Sequence, residues 1–297
     1  MKKSIKFSMP GSRADIGEIT IHRMLPNRYA NAIGPFVFLD HWGPTKHAAD
    51  EPRQTNGNGA HPHRGIATLT YVLNGEEEHF DSKGNYGKIR SGGVQWMKAG
   101  KGIVHDGNIN VDREKDDLLT HGFQFWINLP SKNKIEAPQH IAIQADEVPQ
   151  RMLNANKGWI KVIVGEYETL VSKIPNYTKQ FIYHVHLEAG KQFSLATESE
   201  LEYAAVLPLH NALINDAEHN KGELIVFDQG EGTIEINNRS MNAIDIILFG
   251  GAKYTEPIVF GGPFVMSSEH EIAEAYKDFQ AGKYGKIDLA QVKQSSV

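Results

Sequence analysis

The 297-residue chain contains no cysteine, and that absence removes three chemistries at once. There is no disulfide framework, no thiolate nucleophile and no thiolate metal ligand. Any metal must therefore be held by imidazole and oxygen. No apolar run approaches the length of a bilayer span. Lysine and arginine never cluster beyond a pair, and the formal net charge is -5, so no nucleic-acid footprint covers the chain and direct nucleic-acid or membrane partners are not expected. The start, Met1-Lys2-Lys3-Ser4-Ile5-Lys6, is basic but lacks the apolar segment and small-residue cleavage site of a secretory signal, so the expected location is cytoplasmic.

What is present is a chain of short apolar runs punctuated by 28 glycines and 13 prolines. Ile19–His22, Phe36–Leu39, Thr68–Leu73, Glu76–Phe80, Val94–Met97 and Phe123–Ile127 read as strands. Turn signals such as Asn74-Gly75 and Ser82-Lys83-Gly84-Asn85 separate several of them. Residues 130–155 are more polar and carry Pro130, Pro138 and Pro149. A second strand series follows, including Ile160–Val164, Phe181–His186 and Glu223–Phe227. This pattern predicts an all-β fold, barrel or sandwich, in two strand-rich domains over 1–130 and 156–297 joined by a connection over 131–155. One helix is expected near the end, opened by a Ser268/Glu271 capping box and stopped at Gly282, with Ile272, Ala275, Tyr276 and Phe279 on one face.

The two halves read as a diverged repeat. Gly100-Lys101-Gly102-Ile103-Val104-His105 aligns with Gly230-Glu231-Gly232-Thr233-Ile234-Glu235, and on a similar offset His61 and His63 fall near Phe193 and Leu195. The first half alone then carries the imidazole cluster.

Chemistry concentrates in His61-Pro62-His63-Arg64-Gly65 and in His105. Alternation along a strand puts His61 and His63 on one face. Extending that parity adds Gly65, Ala67, Leu69, Tyr71 and Leu73 to the histidine face, and puts Arg64 and Thr70 on the opposite one. Two imidazoles inside an apolar barrel need partners, because unpaired buried polar groups are costly. A metal shared with His105 supplies one; a pair of hydrogen-bonded core histidines is the competing account. Glu76, Glu77 and Glu78 read as a solvated edge, His41 and His121 as capping or surface groups, and Trp96, Met97 and Trp126 as core or pocket wall.

Several segments resemble the pirin family of two-barrel cupin proteins. They are His61-Pro62-His63-Arg64-Gly65, Thr70-Tyr71-Val72-Leu73-Asn74-Gly75, Val94–Gly100, Gly102-Ile103-Val104-His105, Asn27-Arg28-Tyr29, Gly34–His41, Gln124–Pro130 and Gly262-Pro263-Phe264-Val265-Met266. The resemblance implies two stacked cupin-type β-barrels and one mononuclear metal in the first. It carries the metal-ligand role to His61, His63 and His105. A glutamate two residues after the last histidine completes the family's set, and here that position is Gly107. Asp106 replaces it, as ligand or catalytic base, only if the strand bulges. Ala67, four residues after His63, offers no carboxylate either. Gln124 is a candidate for the pocket lining.

Two functions follow from the resemblance. One is a quercetin 2,3-dioxygenase-type oxidoreductase acting on a flavonol-like aromatic, with one divalent metal, iron foremost, although zinc, nickel, copper and manganese also suit the ligands. The other is a non-enzymatic regulatory protein working through protein partners, which the loss of the glutamate favours.

Overall fold

The computed structural model describes residues 1–15, 19–47, 57–115 and 118–288. The chain divides into two compact units that do not follow chain order. One comprises Met1–Ile16, Ile21–His41 and Val148–Tyr254; the other comprises Gly17–Thr20, Trp42–Glu147 and Thr255–Val297. The opening strand Ile5–Pro10 pairs antiparallel with Glu223–Phe227 and so belongs to the later barrel. The C-terminal helix belongs to the earlier one. A division at 130–155 thus gives each terminus to the wrong half. Strand pairing is a long-range hydrogen-bond choice that local periodicity does not report.

The histidine-bearing unit is built from β1 (His61–His63), β2 (Ile66–Asn74), β3 (Glu76–Asp81), β4 (Tyr86–Arg90), β5 (Val94–Lys98), β6 (Ile103–Asn110), β7 (Leu119–Asn128) and β8 (Gln139–Ile143). One sheet runs in the order β1-β6-β3-β4; the other includes β8-β5-β2-β7. β9 (Val259–Gly261) and β10 (Phe264–Met266) form a hairpin, and α1 spans Glu269–Gln280. The Ser268 hydroxyl caps α1 by accepting from the Glu271 amide at 3.2 Å. Ile272 and Ala275 of the helix are buried with Val104, Phe264, Met266 and Tyr284. Tyr276 and Phe279 stay partly exposed, so the helix buries a narrower face than its apolar spacing predicts.

β1 and β2 are not one strand. The break falls at Gly65, whose φ of +83° is favourable only without a side chain, and whose added Cβ would lie 2.1 Å from the Val265 carbonyl oxygen. Parity is lost across it. Thr70 pairs with Gln95 on one side and Gln124 on the other. That row, and not Leu69 and Tyr71, shares its face with Trp126, which packs edge-on against His63 with ring centroids 5.0 Å apart. The site-facing surface of this sheet is therefore mixed, with Thr68, Thr70, Gln95 and Gln124 beside Met97 and Trp126, where continuous alternation predicts an apolar one. Buried Lys134 fastens the corner: its three ammonium protons reach Gly65 O at 2.8 Å, Val265 O at 2.8 Å and Asn128 Oδ1 at 2.5 Å.

The other unit carries a sheet ordered Ile5–Pro10, Glu223–Phe227, Leu201–Val206, Ile244–Ala252, Gln180–Leu187, Gly158–Val164 and Gln150–Met152. A second, four-stranded sheet contains Gln192–Thr197 and Gly232–Asn237. Between them lies a continuous apolar core that includes Ile160, Tyr183, Val185, Leu195, Ile236 and Leu248.

Candidate metal centre

β1 and β6 pair antiparallel with His105 opposite His61 and Ile103 opposite His63. This register brings together the three imidazoles that the sequence singles out. Ring centroids are 4.4 Å apart for His61 and His105, 4.9 Å for His61 and His63, and 5.1 Å for His63 and His105. One nitrogen from each ring falls within 4.8 Å of the other two.

The hydrogen bonds fix which nitrogens are free. His61 Nδ1 lies 2.7 Å from Gly59 O, and His63 Nδ1 lies 2.9 Å from Pro263 O. A carbonyl only accepts, so both Nδ1 atoms carry the proton and both Nε2 atoms keep a lone pair. His105 Nε2 stands 3.0 Å from His61 Nε2. Two nitrogens at right angles on an ion with metal–nitrogen bonds of about 2.1 Å would be about 3 Å apart, so this spacing fits a shared cation. His105 Nδ1 is buried without a hydrogen-bond partner. Burial, then His61, pushes His63 down to about 3, and burial with His61, His63, His79 and His140 holds His105 well below its ordinary value. Both imidazoles are thus neutral, the form that ligates metal.

Among the described residues no carboxylate joins the three histidines. β6 pairs in unbroken register with β3, so the bulge that Asp106 would need is absent. The Asp106 carboxylate instead accepts from the Gly107 amide at 2.8 Å, and its Oδ1 crowds the space above Gly59. Gln124 stands on the sheet face that carries Trp126, opposite Thr70. His41 and His121 are buried rather than superficial, and neither belongs to the cluster.

Sequence reading missed three further groups. His79 on β3 lies opposite Gly107, and its ring centroid is 5.3 Å from that of His105. It stacks on His140 of β8, with centroids 4.3 Å apart and planes 2° from parallel. Its Nε2 lies 3.2 Å from Asp81 Oδ2. Asp81 also accepts from the amides of Lys83 and Asn85 and from the Asn85 side chain, at 2.8, 3.1 and 2.8 Å. Burial would raise its pKa, but His79 and these donors hold it below the ordinary carboxylate value. Burial and His79 push His140 down to about 4. The signal was the alternation Glu77, His79, Asp81 before the Ser82–Asn85 turn, which the acidic run obscured. That run is no solvated edge: Glu76 is buried and ion-paired to Lys88 at 2.7 Å, and Glu77 accepts from Thr70 Oγ1 at 3.1 Å.

A three-imidazole cluster on a strand pair of one barrel, within a chain of two such barrels, defines a two-domain cupin protein. Residues 18–127 match the Pirin family model, and residues 182–285 match the Pirin C-terminal cupin domain. A Pseudomonas aeruginosa protein named "Putative quercetin 2,3-dioxygenase" is 32% identical over 87% of this chain and 89% of its own length. A pirin-like protein of Caulobacter vibrioides is 32% identical over 91% of this chain and 95% of its own. The crystal structure of a quercetin 2,3-dioxygenase from Acinetobacter baumannii superposes with a TM-score of 0.85 at 27% identity, covering 97% of this chain and all of that one (100%). The chain belongs to the pirin family.

Proposed function

We propose that this protein is a metal-dependent dioxygenase of the quercetinase type, acting on a flavonol-like aromatic substrate. The observation that carries the reading is the convergence of His61, His63 and His105, with one nitrogen from each ring within 4.8 Å of the other two and 3.0 Å between Nε2 of His61 and Nε2 of His105. A divalent ion bound there, with iron first among the candidates, supplies the Lewis-acid and redox centre. The likeness to proteins named quercetin 2,3-dioxygenase supports the substrate class.

The protein's own residues supply the rest. The carbonyls of Gly59 and Pro263 aim the two β1 imidazoles, as backing acceptors do for ligating histidines. His79 donates Nε2–H to the ionised Asp81, which leaves Nδ1 as a proton acceptor. An Asp–His pair beside the cluster can take the proton of an acidic flavonol hydroxyl, the task for which Gly107 provides no carboxylate. Trp126 walls the cluster on the His63 side.

Gly107 also supports a second reading, in which the site is structural or sensory and the protein acts through protein partners. Oxygen consumption with quercetin separates the two. Uptake should require added metal and vanish in the His61→Ala/His105→Ala double variant. Metal retention with no uptake for iron, zinc, nickel, copper or manganese leaves the second reading standing. Failure to retain any of these ions defeats both the enzyme and the metal site.

A further inference from the structure

The second barrel carries a cavity of its own. Strand Gln192–Thr197 pairs with Gly232–Asn237 so that Phe193 faces Ile236 and Leu195 faces Ile234. In the first barrel His61 faces His105 and His63 faces Ile103. The two registers match, and they make Phe193, Leu195 and Ile236 the counterparts of His61, His63 and His105. The third counterpart is thus Ile236, one residue beyond the Glu235 that sequence alignment selects. Every imidazole has been replaced by an apolar side chain, and all three replacements are buried.

The space at that position is not closed. Leu195 lines a cavity of about 880 Å³, within the size range of small-molecule sites. Its wall is aromatic: Tyr167, Phe181, Tyr183 and Tyr203 all contribute. Phe181 stacks on Tyr183 with centroids 4.8 Å apart, Phe181 and Tyr203 are 5.1 Å apart, and Tyr167 meets Tyr183 edge-on at 5.5 Å. Two of the phenols are occupied. Tyr183 donates to Glu166 O at 2.5 Å, and Tyr203 accepts from the Glu198 amide at 2.9 Å. Those rings are therefore held as fixed walls.

Two polar features say what such a wall would hold. Gln180 lines the cavity and is only 3% exposed; its Nε2 donates to Asn176, but its Oε1 has no partner. Thr178 Oγ1, also in the lining, is likewise unpartnered. A buried acceptor without a donor is costly, so the lining favours a ligand that donates. The charges disfavour anions. Glu166, Glu168 and Glu198 line the cavity against a single cation, Lys179, which is paired with Glu198 at 2.5 Å. Arg151 is paired with Glu168 at 2.5 Å.

We propose that the second barrel binds a small aromatic compound bearing O–H or N–H donors and no anionic group, between the tyrosine wall and Gln180. This site is separate from the histidine cluster and does not depend on the dioxygenase reading. Isothermal titration of the full chain with 4-propylphenol, tyramine and 3-(4-hydroxyphenyl)propionate tests it. The neutral and cationic phenols should bind, and the carboxylate should bind at least about tenfold more weakly, the factor that one mismatched charge or hydrogen bond supplies. Gln180→Leu should weaken 4-propylphenol by about tenfold. Ala196→Trp, which fills the lining from an exposed strand position, should abolish binding. Ser194→Trp serves the same purpose if Ala196→Trp melts early. The His61→Ala/His105→Ala variant should bind all three probes as the parent does. No binding at millimolar concentration, equal affinity for the anion, or full affinity in both tryptophan variants would overturn the proposal.

Discussion

His79 stands directly opposite Gly107 in the ladder joining β3 to β6, so an imidazole occupies the strand neighbour of the position where the family pattern has a glutamate. Opposed residues of an antiparallel pair share a face. The same holds one step along, where Asp81 lies opposite His105. The face that lost a carboxylate on one strand thus has an Asp-oriented histidine on the next.

His79→Phe tests that relationship. The phenyl ring can keep the stack on His140 while removing the proton acceptor. Metal content should stay at that of the parent, and quercetin-dependent oxygen uptake should fall by about 10²- to 10⁴-fold, the usual worth of a general base. Joint loss of metal and activity would make His79 a structural support of the cluster instead.

Restoring the family residue by Gly107→Glu should not rebuild a fourth ligand. A Cβ at this position would lie 2.5 Å from the backbone oxygen of Glu78, an atom the sheet holds in place. The expected outcome is a destabilisation of about 1–3 kcal/mol, typical of overpacking, with no gain in metal affinity. Denaturant midpoints and metal titration read the two effects separately; tighter metal retention would contradict this account.

Lys134 should be intolerant of Lys134→Met. The thioether removes the ammonium donor from Val265 O and Asn128 Oδ1 and leaves Gly65 O with only the Leu129 amide at 3.3 Å, at a cost of about 1–3 kcal/mol for each buried group left unpaired. Urea denaturation measures it. Because these carbonyls define the break between β1 and β2, metal affinity should fall in the same variant.

Glu77 gives a pH signature. Burial pushes its pKa up to about 8 from the ordinary 4.5, against the hydrogen bond from Thr70. Across that window the folded chain keeps a proton that the unfolded chain releases, so stability from this group is full below 4.5, declines as pH rises, and is lost above 8. Glu77→Gln should remove this decline. Melting temperatures of parent and variant between pH 4.5 and 8 check it, and parallel curves would show that Glu77 is ionised throughout.

Much of the three-histidine cluster was legible because it is local. His61 and His63 are two residues apart on one strand, and His105 follows a glycine-punctuated turn that begins another. Alternation and turn chemistry suffice to put such residues on strands. The capping serine of α1 was equally visible. The flanking polar groups were not, because each depends on which strands pair. His79 is next to His140 only through the packing of β3 against β8, and the Glu76–Glu78 run looks solvated until Lys88 and Thr70 are brought to it.

The sequence by itself determined the strand-rich architecture in two halves, the three imidazoles and the missing glutamate, since these rest on residue identity and short-range periodicity. Tertiary structure decided the rest. It exchanged the terminal segments between the barrels, reversed strand parity at Gly65, turned Asp106 away from the histidines and set His79 opposite Gly107. Each of these is fixed by hydrogen-bond register between segments distant in the chain, and register is a property of the partner strand as much as of the strand being read.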